Sequence, residues 1–381
     1  MTQDLDQNQA VGTSSSTAQQ NQTNDHITED EASLYDRQIR LWGLEAQNRM
    51  RSSTVLILSL RGLAHETIKN LVLAGIGRLI VADDGIVTEE DLGTGFLFRE
   101  EENAVGQNRT KAALPQISSL NPLVSLTALE TLSPFIGGSE GEIVDFLKKE
   151  KVDVMVACDL PKSQLEIIDS ASRKAGTMFY GAVTYGFYGY VFADLGESYE
   201  YVYNQKPTVD NPSPGLAKKT LTYSSFTQAL SPTNWDKSAK EAEQGGSPYR
   251  GLTKNETKNA APGVVLGLLA LWEFEQKNGQ LPLGGEGQIS DIKEIAERLR
   301  VELGINAKTL PAVDEDMITH LATHATHFFP PTLAVLGGLL AQDVLRALSR
   351  KDRPIVNLLS VDTMGGVGVV GRWSMGEGVD A

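Results

Sequence analysis

Residues 53–84 read STVLILSL-RGLAHETIKNLVLAGIG-RLIVADD, and the order of elements in this stretch decides the fold. Ser53–Leu60 is an apolar run of strand length without polar alternation, the pattern of a strand covered on both faces. A short turn containing Gly62 follows. Ala64–Ala74 has helical character, with Ile68, Leu71 and Val72 facing inward. Arg78–Asp83 is a second buried strand, and it ends at the paired aspartates Asp83 and Asp84. Strand, glycine turn, helix and strand make one βαβ unit, which predicts an α/β fold with a doubly wound, Rossmann-like parallel sheet.

Downstream, Asn108–Leu120 reads as a helix, Val152–Cys158 as a strand and Ser163–Ala175 as a helix. Met178–Ala182 and Gly189–Leu195 read as strands. From Gly196 to Asn259 the periodicity weakens, and Pro, Ser, Asn and charged residues dominate, as in an inserted or crossover region. Gly263–Gln276 and Ile289–Leu303 regain helical spacing. Leu333–Leu348 is an apolar helix in which Gly337 and Gly338 allow close helix packing. Ile355–Asp362 and Gly368–Arg372 are closing strands. Upstream, Thr28–Glu31 fits a capping box. Tyr35, Ile39, Trp42, Ala46 and Met50 then trace one apolar face of an amphipathic helix. Residues 1–28 are rich in Gln, Asn, Ser and Thr and read as a disordered polar tail. The expected division is 29–195 and 328–381 as the two parts of one domain, with 196–327 inserted between them.

Composition excludes several classes of function. There are 34 basic against 49 acidic side chains, a balance opposed to non-specific binding of a nucleic-acid backbone. No apolar run reaches the ~18 residues of a membrane-spanning helix. The N-terminal stretch lacks the apolar core of a secretory signal, so the sequons at Asn21 and Asn255 are expected to be chance. A single cysteine, Cys158, rules out an internal disulfide or a cysteine-based metal site.

The first βα turn is where a sheet of this kind holds a phosphate, on a G-x-G-x-x-G loop whose backbone can approach it. Here Ser59-Leu60-Arg61-Gly62-Leu63-Ala64 has one glycine. Side chains stand where the missing glycines would have admitted a phosphate, and a structural turn is the expectation. Cys158 ends an apolar strand with no histidine close in sequence, so a buried, inert thiol is expected. His320, His324 and His327 share one helical face and could in principle bind zinc. No H-E-x-x-H pattern accompanies them, and a polar helix face before a break is the plainer reading. Asp314-Glu315-Asp316 reads as a solvated helix start. On composition alone, Arg37 is a surface ion-pair former.

Tyr35-Asp36-Arg37-Gln38-Ile39-Arg40-Leu41-Trp42-Gly43 changes the reading of Arg37. This stretch resembles the N-terminal signature of the ubiquitin-like-modifier-activating enzymes, an aromatic residue, a spacer and Arg-Gln. Leu44-Glu45-Ala46-Gln47 is similar to the small, non-thioester subunits of the SUMO-activating branch. So are Gly62-Leu63 with Lys69–Gly75, Val105-Gly106 with Asn108-Arg109, and Ala334–Asp343. The resemblance covers residues 30–195 and 328–371. It implies an adenylation fold of the ThiF/MoeB type, related to bacterial sulfur-carrier activators. In those homodimers each subunit binds ATP and lends an arginine to its neighbour, and the eukaryotic heterodimers resemble a divided version.

The resemblance assigns this chain to one side of that division. An active subunit's nucleotide site uses an aspartate after the second strand, an Asn-Leu-Asn-Arg-Gln stretch, a lysine and a later aspartate. Here Asp83 and Asp84 remain, but the next stretch is Asp91-Leu92-Gly93-Thr94-Gly95. Arg109 stands at the lysine position with Lys111 nearby, and Asp159 is followed by Leu160. The implied state is a decayed local site, with Asp83, Asp84, Arg109 and Asp159 as remnants, no zinc and no thioester cysteine. Arg37 matches the lent arginine, with Arg40 a weaker candidate. The implied partners are a larger subunit carrying the catalytic cysteine and the bulk of the ATP and Mg2+ contacts, and a SUMO-like modifier. The implied location is nucleus and cytoplasm. The alternatives are the equivalent subunit for another ubiquitin-like modifier, a scaffold that only stabilises its partner, and an autonomous adenylating enzyme of the bacterial type.

Overall fold

The computed structural model describes residues 28–207, 215–230, 235–241, 245–375 and 379–380. The polar tail, Thr28 apart, lies outside them. The chain begins with α1 (Glu29–Leu34), α2 (Asp36–Trp42), α3 (Leu44–Arg51), β1 (Thr54–Leu58), α4 (Gly62–Ala74), β2 (Arg78–Ala82), α5 (Glu89–Thr94), α6 (Arg109–Leu120) and β3 (Ser125–Leu129). It continues through α7 (Glu140–Glu150), β4 (Val154–Cys158), α8 (Lys162–Ala175), β5 (Met178–Tyr185), β6 (Tyr188–Asp194), β7 (Tyr199–Asn204) and β8 (Leu216–Leu221). Then come α9 (Phe226–Leu230), α10 (Lys254–Ala260), α11 (Gly263–Asn278), α12 (Glu286–Glu302), α13 (Glu315–His324), α14 (Pro330–Ser349), β9 (Leu358–Asp362), β10 (Val367–Gly371) and β11 (Val379–Asp380).

The main sheet has eight strands in the order β10-β9-β6-β5-β4-β1-β2-β3. β3-β2-β1-β4-β5 are parallel, the doubly wound order with its switch point between β1 and β4. β6, β9 and β10 extend it antiparallel, so the expectation of a parallel sheet holds for five strands and not for the closing three. Both faces of the parallel part are covered, which is why β1 is apolar from Val55 to Leu58. Leu56 and Leu58 join a core with α7, α8, α11, α12 and α13. Val55 and Ile57 join a second core with α4, α6 and α14.

Three sequence expectations need correction. The single amphipathic helix over residues 29–51 is three helices, broken at Tyr35 (φ −101°) and at Gly43 (φ +91°); the latter is a left-handed conformation that favours glycine. Tyr35, Ala46 and Met50 are nonetheless all buried. The weakly patterned region after Gly196 holds β7 and β8, which pair antiparallel in a three-stranded sheet with β11; charged residues on an exposed face conceal their alternation. Finally, only one of the paired glycines in α14 serves packing. A Cβ at Gly337 would stand 2.6 Å from the Glu66 Cβ on α4, whereas one at Gly338 would meet nothing within 4 Å.

By length and composition alone, Pro330–Ser349 could cross a membrane, but 61% of its most apolar window is buried inside the fold. It is a core helix of this fold.

Candidate functional site

The carboxyl ends of β1, β2 and β4 meet at the switch point, the place where sheets of this order bind ligands. Asp83, just beyond β2, is buried. Its two oxygens accept the Leu60 N–H and the Gly85 N–H, each at 2.6 Å. The Leu60 amide, a donor that a phosphate would use at this turn, is therefore already taken. Leu60 itself is fully buried. Gly62 is closed off as well: a Cβ there would stand 2.5 Å from the Leu333 side chain and 2.7 Å from the Thr94 carbonyl. The one surviving glycine serves the packing of α4 against α14 and α5, not the approach of a ligand.

Arg109 is buried too, and it points back into the chain. Its Nε and Nη2 donate to Asp91 at 3.2 and 3.0 Å, and its Nη1 lies 3.7 Å from Asp83. Burial works to raise the Asp91 carboxyl, but the Thr88 N–H and the Arg109 guanidinium outweigh it and hold the group below its usual range. His65 fills the space beneath. It is fully buried, accepts the Leu97 N–H at 3.4 Å and packs edge-on against Phe98. Burial drives its pKa down to about 3, so it is neutral. Asp84 and Lys111 are exposed. The structure thus brings Asp83 and Arg109 together and leaves Asp84 and Lys111 on the surface.

Asp159, after β4, is set differently. It adopts φ +52°. One oxygen accepts the Thr184 N–H at 3.3 Å, while Oδ2 is sealed from solvent and has no hydrogen-bond partner among the described residues. Burial raises its pKa from an ordinary 3.8 to about 7. A carboxyl raised in this way contributes stability below pH ~4 that is lost as pH rises through ~7, because the unfolded chain ionises first. Asp159→Asn removes the buried charge, and Asn tolerates the left-handed backbone. The variant is expected to be more stable than the native chain by about 1–2 kcal/mol at pH 8 and nearly equal at pH 4. Thermal unfolding at the two pH values measures this; an equal shift at both would exclude the titration.

Cys158 is fully buried at the end of β4, and burial, with Asp159 beside it, pushes its thiol well above the ordinary value. Such a thiol is protonated and shielded. Of the three histidines expected on a polar helix face before a break, His320 and His324 are half-buried in the last turns of α13, and His327 is exposed just beyond its end. His320 and His324 stack at 4.3 Å, and His320 accepts the Phe187 N–H at 3.1 Å, beneath the β5–β6 turn. Burial, then the neighbouring His324, lowers the pKa of His320. Asp314 caps α13 by accepting the Asp316 and Met317 N–H groups, so the acidic run is a helix start. Among the described residues no group of three or more His, Cys, Asp or Glu is arranged to hold a metal.

Arg37 stands apart from all of these. The Tyr35 ring is buried against Gly75, and its hydroxyl accepts from the Asn121 side chain at 2.8 Å. Gln47 is fully buried. It donates to the Ala74 carbonyl at 3.0 Å and accepts from the Trp42 indole at 3.0 Å. The α2–α3 pair is thereby clamped at both ends to the last turn of α4. Between the clamps Arg37 is exposed, with no ion pair among the described residues. Arg40, by contrast, pairs with Asp36 at 3.0 Å on the surface, a contact of little energetic weight. Beside Arg37, Gln38, Trp42, Leu73, Gly338, Gln342 and Leu345 line a shallow cleft. Leu41, Leu44, Leu73, Val335 and Leu339 are exposed along the same helices at 72, 53, 46, 47 and 36%. These exposed apolar side chains lie on α2, α3, α4 and α14, the helices that carry and flank Arg37. Nothing in the sequence pattern marked the Gln47–Trp42 clamp, because a buried glutamine is recognisable only from its partners.

A model of the ThiF family matches residues 35–369. SUMO-activating enzyme subunit 1 of Rattus norvegicus is 33% identical over 357 residues, covering 90% of this chain and 95% of the relative. The proteins of the same name from Bos taurus and Homo sapiens are 34 and 32% identical, with the same coverage of 90 and 95%. Among solved structures, that of selenomethionine PaaA superposes with a TM-score of 0.51 at 13% identity, covering 94% of this chain and 79% of that one; this likeness concerns the fold alone. The apolar strand-turn-helix-strand unit, the Arg-Gln helix clamped beside it and these matches along the chain agree, and the chain belongs to the ThiF family, in the group of SUMO-activating enzyme subunit 1 proteins.

Proposed function

We propose that this chain is the smaller, non-thioester subunit of a heterodimeric SUMO-activating enzyme, and that it works by lending Arg37 to a nucleotide held in the larger subunit. The observation that carries the reading is the contrast between two sites. At the chain's own switch point the Leu60 amide, Asp83 and Arg109 are all engaged internally. Arg37 is exposed, has no ion pair among the described residues, and stands on a helix clamped at both ends beside exposed apolar side chains.

On this reading the larger subunit holds ATP and Mg2+ and carries the thioester cysteine. The modifier's C-terminal carboxylate oxygen bonds to the α-phosphorus, the bond to the bridging oxygen breaks, and pyrophosphate leaves with that electron pair. Negative charge gathers on the phosphate oxygens in the transition state, where a preplaced guanidinium stabilises it. The exposed apolar stripe of α2, α4 and α14 is the face that joins the larger subunit, which would make the pairing obligate. The pair would act in nucleus and cytoplasm.

Co-expression of the full chain with the larger SUMO-activating subunit tests the proposal. A stoichiometric complex that forms an ATP-dependent thioester with SUMO on the larger subunit is expected. Nucleotide binding and carboxylate activation by this chain alone would instead make it an autonomous adenylating enzyme. Capture of a different ubiquitin-like modifier's large subunit would reassign the branch.

A further inference from the structure

The last turn of α14, the loop after it and the edge strand β10 enclose a cleft of ≈ 490 Å3 whose lining shares no residue with the cleft beside Arg37. Arg346, Arg353 and Arg372 line it, with Pro354, Val356 and Val370 as apolar walls and Ile355 as the floor.

The floor is locked from below. Both oxygens of Asp343, which is fully buried, accept the Ile355 N–H at 2.9 and 3.0 Å. The Tyr223 hydroxyl donates to the Ile355 carbonyl at 2.8 Å, and the Tyr180 hydroxyl donates to Asp343 at 2.9 Å. A backbone held from both sides keeps the cleft's shape before any ligand arrives, which lowers the ordering cost of binding.

The walls carry unbalanced charge. Among the described residues, Arg346 has one ion pair, a long one of 3.6 Å to Asp343, and Arg353 and Arg372 have none. Asp343 lies beneath the floor and is already committed to the Ile355 amide and the Tyr180 hydroxyl. In a chain of net charge −15, three guanidiniums gathered around one cleft run against the average, and their mutual repulsion falls only when a counter-charge enters.

The chemistry of that counter-charge follows from counting. A carboxylate has one charge and two acceptor oxygens, enough for one guanidinium fork. A phosphate monoester has a charge of about −1.5 to −2 and three strong acceptor oxygens, enough for two or three forks. The cleft is larger than a phosphate requires, and the rest of its wall is apolar, so it can also take the group to which the phosphate is esterified.

We propose that this cleft is a binding site for a phosphate monoester, with Arg346, Arg353 and Arg372 on the phosphate and Pro354, Val356 and Val370 against its apolar body. The proposal is independent of the role given to Arg37. A free phosphorylated metabolite and a phosphorylated side chain share this chemistry, and the choice of probes separates them.

Calorimetry on the full chain, with inorganic phosphate, glycerol 3-phosphate and a phosphoserine peptide flanked by apolar residues, is the test. Saturable binding of inorganic phosphate that weakens with added salt is expected, together with tighter binding of whichever ester matches the natural source. Arg353→Gln with Arg372→Gln should weaken every probe by about tenfold per arginine removed. Val370→Glu, on the exposed side of the edge strand, should abolish binding by placing a carboxylate over the cleft while leaving the thermal midpoint unchanged. Arg37→Ala should leave phosphate binding intact. Saturable binding that neither cleft variant alters, or none by any probe, overturns the site; citrate binding tighter than the phosphates overturns the phosphate assignment.

Discussion

Arg37→Ala, assembled with the larger subunit, is expected to lower ATP–pyrophosphate exchange by about 10²–10³-fold, the usual consequence of deleting one preplaced donor to a developing negative charge. The size of the effect rests on geometry. Tyr35 and Gln47 fix the two sides of the helical turn that carries Arg37, so the backbone that presents the guanidinium is already in place and only the side chain has still to order. Because Arg37 is exposed and makes no ion pair among the described residues, its removal should leave the thermal midpoint and complex formation unchanged. Arg37→Lys keeps the charge but not the planar fork, and should recover only part of the rate. Arg40→Ala removes only the surface pair with Asp36 and should be nearly silent. A near-normal exchange rate in Arg37→Ala would reduce the chain to a scaffold for its partner.

The second large effect concerns Asp343. Asp343→Ala strips the carboxylate acceptor from the Ile355 N–H and the Tyr180 hydroxyl, both buried; the hydroxyl keeps the residue-343 backbone carbonyl at 3.2 Å. One orphaned donor, one weakened donor and the space left behind should cost about 2–4 kcal/mol, read as a fall in the thermal midpoint. Asp343→Asn retains one acceptor oxygen and should cost less. Burial raises the Asp343 carboxyl from 3.8 to about 6, against the opposing hydrogen bonds. Its contribution is therefore complete below pH ~4 and is lost as pH rises through ~6. Asparagine does not titrate, so the gap between the native chain and Asp343→Asn should narrow from pH 4 to pH 8. A gap that widens instead would mean that the ionised form is the one the fold prefers.

Both variants reach beyond what residue patterns reveal. A guanidinium in the stretch Tyr35-Asp36-Arg37-Gln38 is distinguished in the sequence only by its resemblance to a family; that it has no ion pair among the described residues is visible only once the helix is clamped against Gly75 and Ala74. The aspartate at 343 stands alone in the apolar stretch Leu339-Leu340-Ala341-Gln342-Asp343-Val344. A lone acid on an apolar helix must find partners if it is buried. Which partners it finds is not readable from the stretch itself, since Tyr180 and Ile355 come from other parts of the chain. The arginines at 346, 353 and 372 likewise lie on a helix, a loop and the end of a strand, and only packing places them around one cleft.

Local chemistry in the chain was enough to specify the βαβ unit, because a strand buried on both faces must be apolar throughout, and because a turn with one glycine has no open backbone to offer a phosphate. The same local logic identified the capped N-terminal helix, the inert thiol and the core helix near the C-terminus. Tertiary structure alone decided the three antiparallel strands that extend the sheet, the break of one amphipathic stripe into three helices, and the engagement of Asp83 and Arg109 with other residues of the chain. Those outcomes depend on which distant segments meet, and burial energy follows the contacts that form rather than the order in which residues are written.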